Sequence, residues 1–267
     1  MIIDSHAHVV VPNEKQIEVM NQANVDMTIL FSTLVHPEKS STREEFVQEM
    51  GVLQQILNNK INGKEARMLS MKELIDTVKR YPDRYIGFGS VPIGISEKET
   101  IEWVDQQIVE NGLKGLGEFT LGSGQLDLLK PVFKAANELG NLPVWVHTFD
   151  PLTMQDIKHL ADLAKANPNI PVIFGHLGGI NWLHTISLAK GIPNVYLDIS
   201  AFYTTFALSL AMKEIPERTI FSSDFPYGDP YLAIQAVQRY APSKEVEKLV
   251  LGETIAQLLG ITVPIGG

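Results

Sequence analysis

Two histidines one residue apart, His6-Ala7-His8, stand where the apolar opening Met1-Ile2-Ile3 gives way to polar residues. On an extended strand, positions i and i+2 project to the same side, so both imidazoles would face one volume. Neutral imidazole and carboxylate oxygen suit Zn²⁺, Fe²⁺ or Mn²⁺ when no thiolate is available. The chain contains no cysteine, so disulfides and thiolate metal centres are excluded. Four more ionisable residues end other short apolar runs: Glu118 in Gly117-Glu118-Phe119, His147 in Trp145-Val146-His147, His176 in Phe174-Gly175-His176, and Asp224 in Ser222-Ser223-Asp224. Each has an ordinary structural explanation when taken alone. A single strand-end histidine is more often hydrogen-bonded than ligating, Glu118 could pair with a lysine, and Asp224 could cap a helix. Their convergence is harder to explain that way, because imidazoles and carboxylates packed together are costly unless something binds them. His36, His159 and His184 fall in an insertion or in helical patterns and are assigned to the surface.

The elements that must position these residues are short and regularly spaced. Apolar, β-branched runs begin at Ile2–Ile3 and recur at Met27–Phe31, Tyr85–Val91, Leu113–Glu118, Pro143–His147, Pro171–Gly175, Val195–Ile199 and Thr219–Ser222. Several are continuously apolar, as expected of parallel strands covered on both faces. Amphipathic stretches such as Glu97–Glu110, Leu126–Leu139 and Met154–Ala166 separate them. This alternation predicts βαβ units, and eight of them in 267 residues fit an α/β fold of the (β/α)₈ TIM-barrel type, one domain over residues 1–267. An open dinucleotide-binding sheet would require a glycine-rich loop after the first strand, and Ser5-His6-Ala7-His8-Val9-Val10 is not one. In a barrel the C-terminal ends of all strands meet on one face, so the six ionisable groups are predicted to share a site. The connection from Ser32 to about Leu69 is too long for a plain loop. It reads as a helical insertion over the barrel mouth, with a helix-like stretch Phe46–Asn58, serving as a lid or as a decoration without a chemical role.

The formal net charge of −9 argues against nucleic acid as a partner, because phosphate binding leaves a basic footprint. No run approaches the roughly 18 apolar residues of a membrane span, and the first ten residues lack the basic start of a signal peptide. A cytoplasmic enzyme with a small-molecule substrate is expected, and a homodimer is compatible with the sequence.

The combination resembles the amidohydrolase superfamily of metal-dependent barrels, in its amidohydrolase-related (amidohydrolase 2) branch of hydrolases and non-oxidative decarboxylases. IIDSHAHVV is similar to that branch's first strand, PDRYIGFGSVP to its third, PVIFGHLGG to its sixth, TIFSSDFP to its eighth and LGETIAQLLGI to its closing helix. The resemblance implies that His6 and His8 bind the more buried metal and that His147 is the fifth-strand ligand. It implies that His176 binds a second metal or polarises substrate, and that Asp224 binds metal and shuttles a proton. The carboxylated lysine of many members has no counterpart here. Glu118 stands in its place, as a bridging glutamate does in the TatD-type nucleases and phosphotriesterase-like lactonases, which tilts the expectation toward two ions and hydrolysis.

The expected cofactor is a divalent metal, Zn²⁺ with Mn²⁺ or Fe²⁺ as alternatives, as one ion or two. Bound water would be acidified from a pKa of 15.7 toward about 7 and would attack an ester, lactone, amide or related bond. A mononuclear decarboxylase of an unsaturated or aromatic carboxylic acid is the second expectation, and a non-catalytic ligand-binding barrel the third. Arg43 and Arg67 of the insertion could grip a substrate carboxylate. Tyr203 and Tyr227 are placed near the pocket and Trp145 in the barrel interior.

Overall fold

In the computed structural model, which describes residues 1–57 and 64–262, eight strands follow one another around a single parallel sheet. They are β1 (Ile3–His8), β2 (Met27–Phe31), β3 (Tyr85–Gly89), β4 (Gly115–Phe119), β5 (Val144–His147), β6 (Val172–Gly175), β7 (Val195–Asp198) and β8 (Thr219–Ile220). Each pairs in parallel with its sequence neighbour. The ring closes between the segment after β8 and β1. The amide of Ser5 donates to the Phe221 carbonyl (3.0 Å), that of Asp224 to the His6 carbonyl (2.7 Å), and that of His8 to the Phe225 carbonyl (2.8 Å). The expected (β/α)₈ barrel is therefore the observed one.

The helices are α1 (Asn13–Gln22), α2 (Arg43–Leu57), α3 (Lys64–Arg80), α4 (Glu97–Val104), α5 (Lys130–Glu138), α6 (Met154–Ala166), α7 (Trp182–Lys190), α8 (Thr205–Glu214), α9 (Pro230–Tyr240), α10 (Lys244–Lys248) and α11 (Thr254–Leu259). Several begin where side chains satisfy the first free amides. Ser96 and Glu99 form a capping box on α4, as Thr153 and Asp156 do on α6, while Asp229 caps α9. None of the described helices is long and apolar enough to cross a membrane.

Boundaries shift for identifiable reasons. β5 and β6 each start one residue after the expected proline, which has no amide to give to a ladder. The stretch Glu97–Glu110 is α4 followed by a π-turn over Asp105–Val109, and Leu126–Leu139 opens as a 3-10 turn before α5. Helix α2 matches the expected Phe46–Asn58, of which Asn58 lies outside the described residues.

Two apolar layers hold the fold. The larger lies between sheet and helices. The smaller fills the barrel, where Phe31, Phe88 and Trp145 pack with ring centroids 5.3–5.8 Å apart. Trp145 is completely buried, as its strand position leads one to expect. This aromatic plug is the floor of the site, and the His6 ring rests on Phe31 at 4.7 Å.

Candidate metal centre at the barrel mouth

Beyond a register shift between Asp4 and Ala7, alternation along β1 sends His6 and His8 to one side. His6 is fully buried, and its Nδ1 donates to Asp198 Oδ2 at the end of β7 (2.7 Å). That contact fixes the tautomer, leaving Nε2 as the free ring nitrogen directed at the site. Asp198 is held in turn by Trp145 Nε1–H (3.2 Å) and the Ser200 amide (2.6 Å). His6 Nε2 is a buried polar atom without a hydrogen-bond partner, and so is His8 Nδ1.

Glu118 divides its two oxygens. Oε2 lies 3.4 Å from His6 Nε2 and 4.0 Å from His8 Nε2, whereas Oε1 lies 3.2 Å from His147 Nδ1 and 3.1 Å from His176 Nε2. Asp224 Oδ1 completes the first side, 3.2 Å from His8 Nε2 and 3.7 Å from His6 Nε2. On the second side, the Asp150 carbonyl can only accept, so its 2.9 Å contact with His147 Nε2 places the proton there. His147 Nδ1 is thereby left toward Glu118. His176 Nδ1 is paired with Ser200 Oγ (2.9 Å), which leaves its Nε2 for the same carboxylate.

The local backbone makes this placement feasible. Gly117 sits at φ +140°, and a Cβ there would lie 2.6 Å from the Trp145 carbonyl oxygen. Only glycine lets the chain turn Glu118 inward so close to β5. At β8, Asp4 accepts from the Ser223 amide (2.8 Å) and from Ser223 Oγ, fixing the segment that carries Asp224. Burial pushes the Asp4 carboxyl up to about 7, against the lowering effect of those bonds.

Charge confirms that these groups form one unit. Burial alone would raise Glu118, yet His6, His147 and His176 hold it well below the usual carboxylate range. Asp198 is likewise lowered to about 2, mainly by His6 acting against burial. Asp224 is lowered by His8, His6 and His176 against the same desolvation. Burial disfavours charge on His6, but Glu118 and Asp198 raise it well above the ordinary value. Protons on imidazole thus balance three buried carboxylates. A divalent cation can take over that balance with release of protons.

Among the described residues, two sets of three donor atoms lie within 4.8 Å of one another: His6, His8 and Asp224, and His6, Glu118 and His176. Ligands about 2.0–2.1 Å from a tetrahedral ion stand roughly 3.4 Å apart, close to the spacings seen here. The orphaned His6 Nε2, the excess carboxylate charge and these spacings fit a divalent metal. All six residues expected from sequence meet in one place. His147 is in neither triad and joins through Glu118 Oε1 and through its ring contact with His176, centroids 4.6 Å apart.

Above the floor, a cavity of about 260 Å³ opens toward solvent. Its walls include Glu118, His147, His176, Asp224 and Tyr227 from the barrel, and Thr33, Val35, Leu53 and Arg67 from the insertion and α3. Arg67, with its guanidinium lowered to about 10 by burial, is a wall residue, whereas Arg43 is exposed at the start of α2. Tyr203 is 61% exposed and not among the lining residues.

One surface assignment is wrong. His36 is half-buried, its Nδ1 3.0 Å from Glu38 Oε1 and its Nε2 3.2 Å from Glu73 Oε2. The partner on α3 lies 37 positions away, beyond what local sequence reveals. His184 is exposed as expected, and His159 is partly exposed, its Nε2 3.1 Å from Oδ1 of the exposed Asp127. Asp198, Ser200 and Asp4 were not among the anticipated site residues. Asp198 carried a usable signal, since a carboxylate within the apolar run Val195–Ile199 must have a buried partner.

Residues 3–261 match the family model described as Amidohydrolase. No curated protein matches the chain. Among solved structures, 5-carboxyvanillate decarboxylase from Sphingomonas paucimobilis is similar at 14% identity and TM-score 0.67, over 98% of this chain and 99% of that one. The 4-oxalomesaconate hydratase of Rhodopseudomonas palustris gives 15% and 0.65, over 98% and 96%. A dihydroxybenzoic acid decarboxylase from Polaromonas, solved with bound manganese and the inhibitor 2-nitroresorcinol, gives 14% and 0.65, over 97% of each chain. At these identities the likeness is one of fold.

Proposed function

This chain belongs to the amidohydrolase family, and from that premise we propose that it is a binuclear metal-dependent hydrolase of a small ester, lactone, amide or related compound. The observation that carries this reading is the division of Glu118. One oxygen faces His6 and His8, the other His147 and His176, as a carboxylate bridging two ions would. His6, His8 and Asp224 would hold one ion, and His147 and His176 the other. Divalent metal, Zn²⁺ or alternatively Mn²⁺ or Fe²⁺, would acidify a water and polarise the substrate oxygen when bound.

The protein's own groups supply the remaining steps. Asp224 stands on the cavity wall with its carboxyl kept ionised by three histidines. It takes the proton of the attacking water and returns it to the leaving group. His176, anchored by Ser200, directs Nε2 toward the site, where it would either hold the second ion or, with one ion only, stabilise negative charge developing on the substrate. Tyr227 and the insertion narrow access to a small molecule.

Metal analysis with a substrate screen tests the proposal. The wild type should hold near two equivalents and cleave a member of the ester, lactone or amide panel, while Glu118→Ala should retain about one. One equivalent in both proteins would overturn the binuclear reading.

A second reading is favoured by Arg67 in the cavity wall, which suits a carboxylate, and by the two decarboxylases of like fold. In that case one metal would orient an unsaturated or aromatic carboxylic acid, and Asp224 would protonate the carbon losing CO₂. CO₂ release insensitive to Glu118→Ala would identify it.

A further inference from the structure

A band of exposed apolar side chains lies on the catalytic rim, away from the metal centre. It comprises Ile180 (69% exposed), Leu183 (50%), Tyr203 (61%), Phe206 (75%), Tyr231 (54%) and Leu232 (66%). These residues sit in the first turn of α7, α8 and α9 or just before them. Helix α7 packs on α8 and α8 on α9, so the three N-terminal ends are neighbours. In this fold helix N-termini follow strand C-termini, which places all six residues along one edge of the same face.

Size and charge both bear on what covers this band. A large aromatic buries about 150–250 Å² when covered, so six side chains at least half exposed offer several hundred Å². That exceeds what an ordinary monomer leaves scattered on its surface, and approaches one partner's share of a standard interface, about 800 Å². The chain carries a net charge of −9, yet from His176 to Lys213 its only carboxylate is Asp198, which is fully buried. Asp229 is the exposed acid next to the band, and it is engaged in capping the Leu232 amide (3.0 Å). A surface otherwise rich in acid is therefore poor in acid here. A second copy of the same acidic chain can approach this band with little like-charge repulsion. An apolar patch of this kind is also self-complementary across a two-fold axis.

We propose that the α7–α8–α9 rim is the interface of a homodimer, with Phe206 and Tyr231 near its centre. Light scattering on eluting protein, from low micromolar to about 0.1 mM, reads the result directly. The wild type should elute at twice the 29.6 kDa chain mass. Phe206→Glu combined with Tyr231→Glu should give the chain mass, and Leu183→Lys, made independently, should shift the equilibrium the same way. All altered positions are exposed, so circular dichroism spectra and metal content should match those of the wild type, while melting should lose the dependence on protein concentration that a partner copy confers. A wild-type monomer across the range overturns the proposal, whatever else the rim binds. A dimer that survives both sets of substitutions overturns it too, because another face would then be responsible.

Discussion

The floor and the cover of the pocket are built on different principles. On the floor, every candidate ligand rises from a strand end and several are braced from behind: His6 by Asp198, Asp198 by Trp145 and Ser200, His176 by Ser200, and the Asp224 segment by Asp4. The cover, from Ser32 through α2, is tied down by polar contacts in partly exposed positions. His36 joins Glu38 and Glu73, and its amide donates to Glu49 (3.0 Å). Phe46 and Val47 on α2 stay 47% and 53% exposed. The comparison teaches a division of labour. Atoms that must hold a geometry to fractions of an ångström stand on the ladder of the barrel, while the wall that meets substrate is fastened by interactions that can be broken singly.

The largest effect should come from the floor. Asp224→Asn keeps the size of the side chain but removes the base, and turnover is expected to fall by about 10²–10⁴-fold. Melting followed by circular dichroism should show the fold intact, and near-normal kcat would refute the assigned role. A smaller loss should follow from behind the ligands. Asp198→Asn leaves His6 in place but weakens its fixed tautomer, and metal affinity should drop by roughly 10–100-fold in chelator competition. An unchanged affinity would mean that the brace is dispensable and that the two regions differ less than their contacts suggest.

The smallest effect is expected in the cover. Hydrogen bonds that His36 donates to Glu38 and Glu73 raise it from 6.5 to about 9, against partial burial. Because the folded value is the higher one, the stabilisation is complete below pH 6.5 and is lost as pH rises through about 9. Hydrogen exchange around residues 36–49 should therefore accelerate between neutral pH and pH 10, after correction for intrinsic rates, while β1 to β8 remain protected. His36→Gln should remove the step. Equal loosening of floor and cover would contradict the division drawn between them.

The same division governed what could be read from sequence. Strand ends were legible because continuous apolar runs announce buried parallel strands, and a histidine or carboxylate ending such a run has one face to go to. All six expected site residues came together on that basis. The contacts behind them were less visible, since which strand braces which depends on packing across the barrel: Asp198 meets His6 from 192 positions away. In the cover, pattern predicted a helix but not its attachments. Arg43 and Arg67 look alike as sequence, and only the placement of α3 separates a cavity wall from an exposed surface.

One consequence follows from the single carboxylate at the centre. The two oxygens of Glu118 share one carbon and move as a rigid pair, so neither can be adjusted without turning the other. Were both sides to hold ions, as proposed, occupancy on the His6 and His8 side would set the angle offered to His147 and His176, and the reverse would hold to the same extent. Filling and emptying of the two sides would then be cooperative, with each vacancy weakening its neighbour.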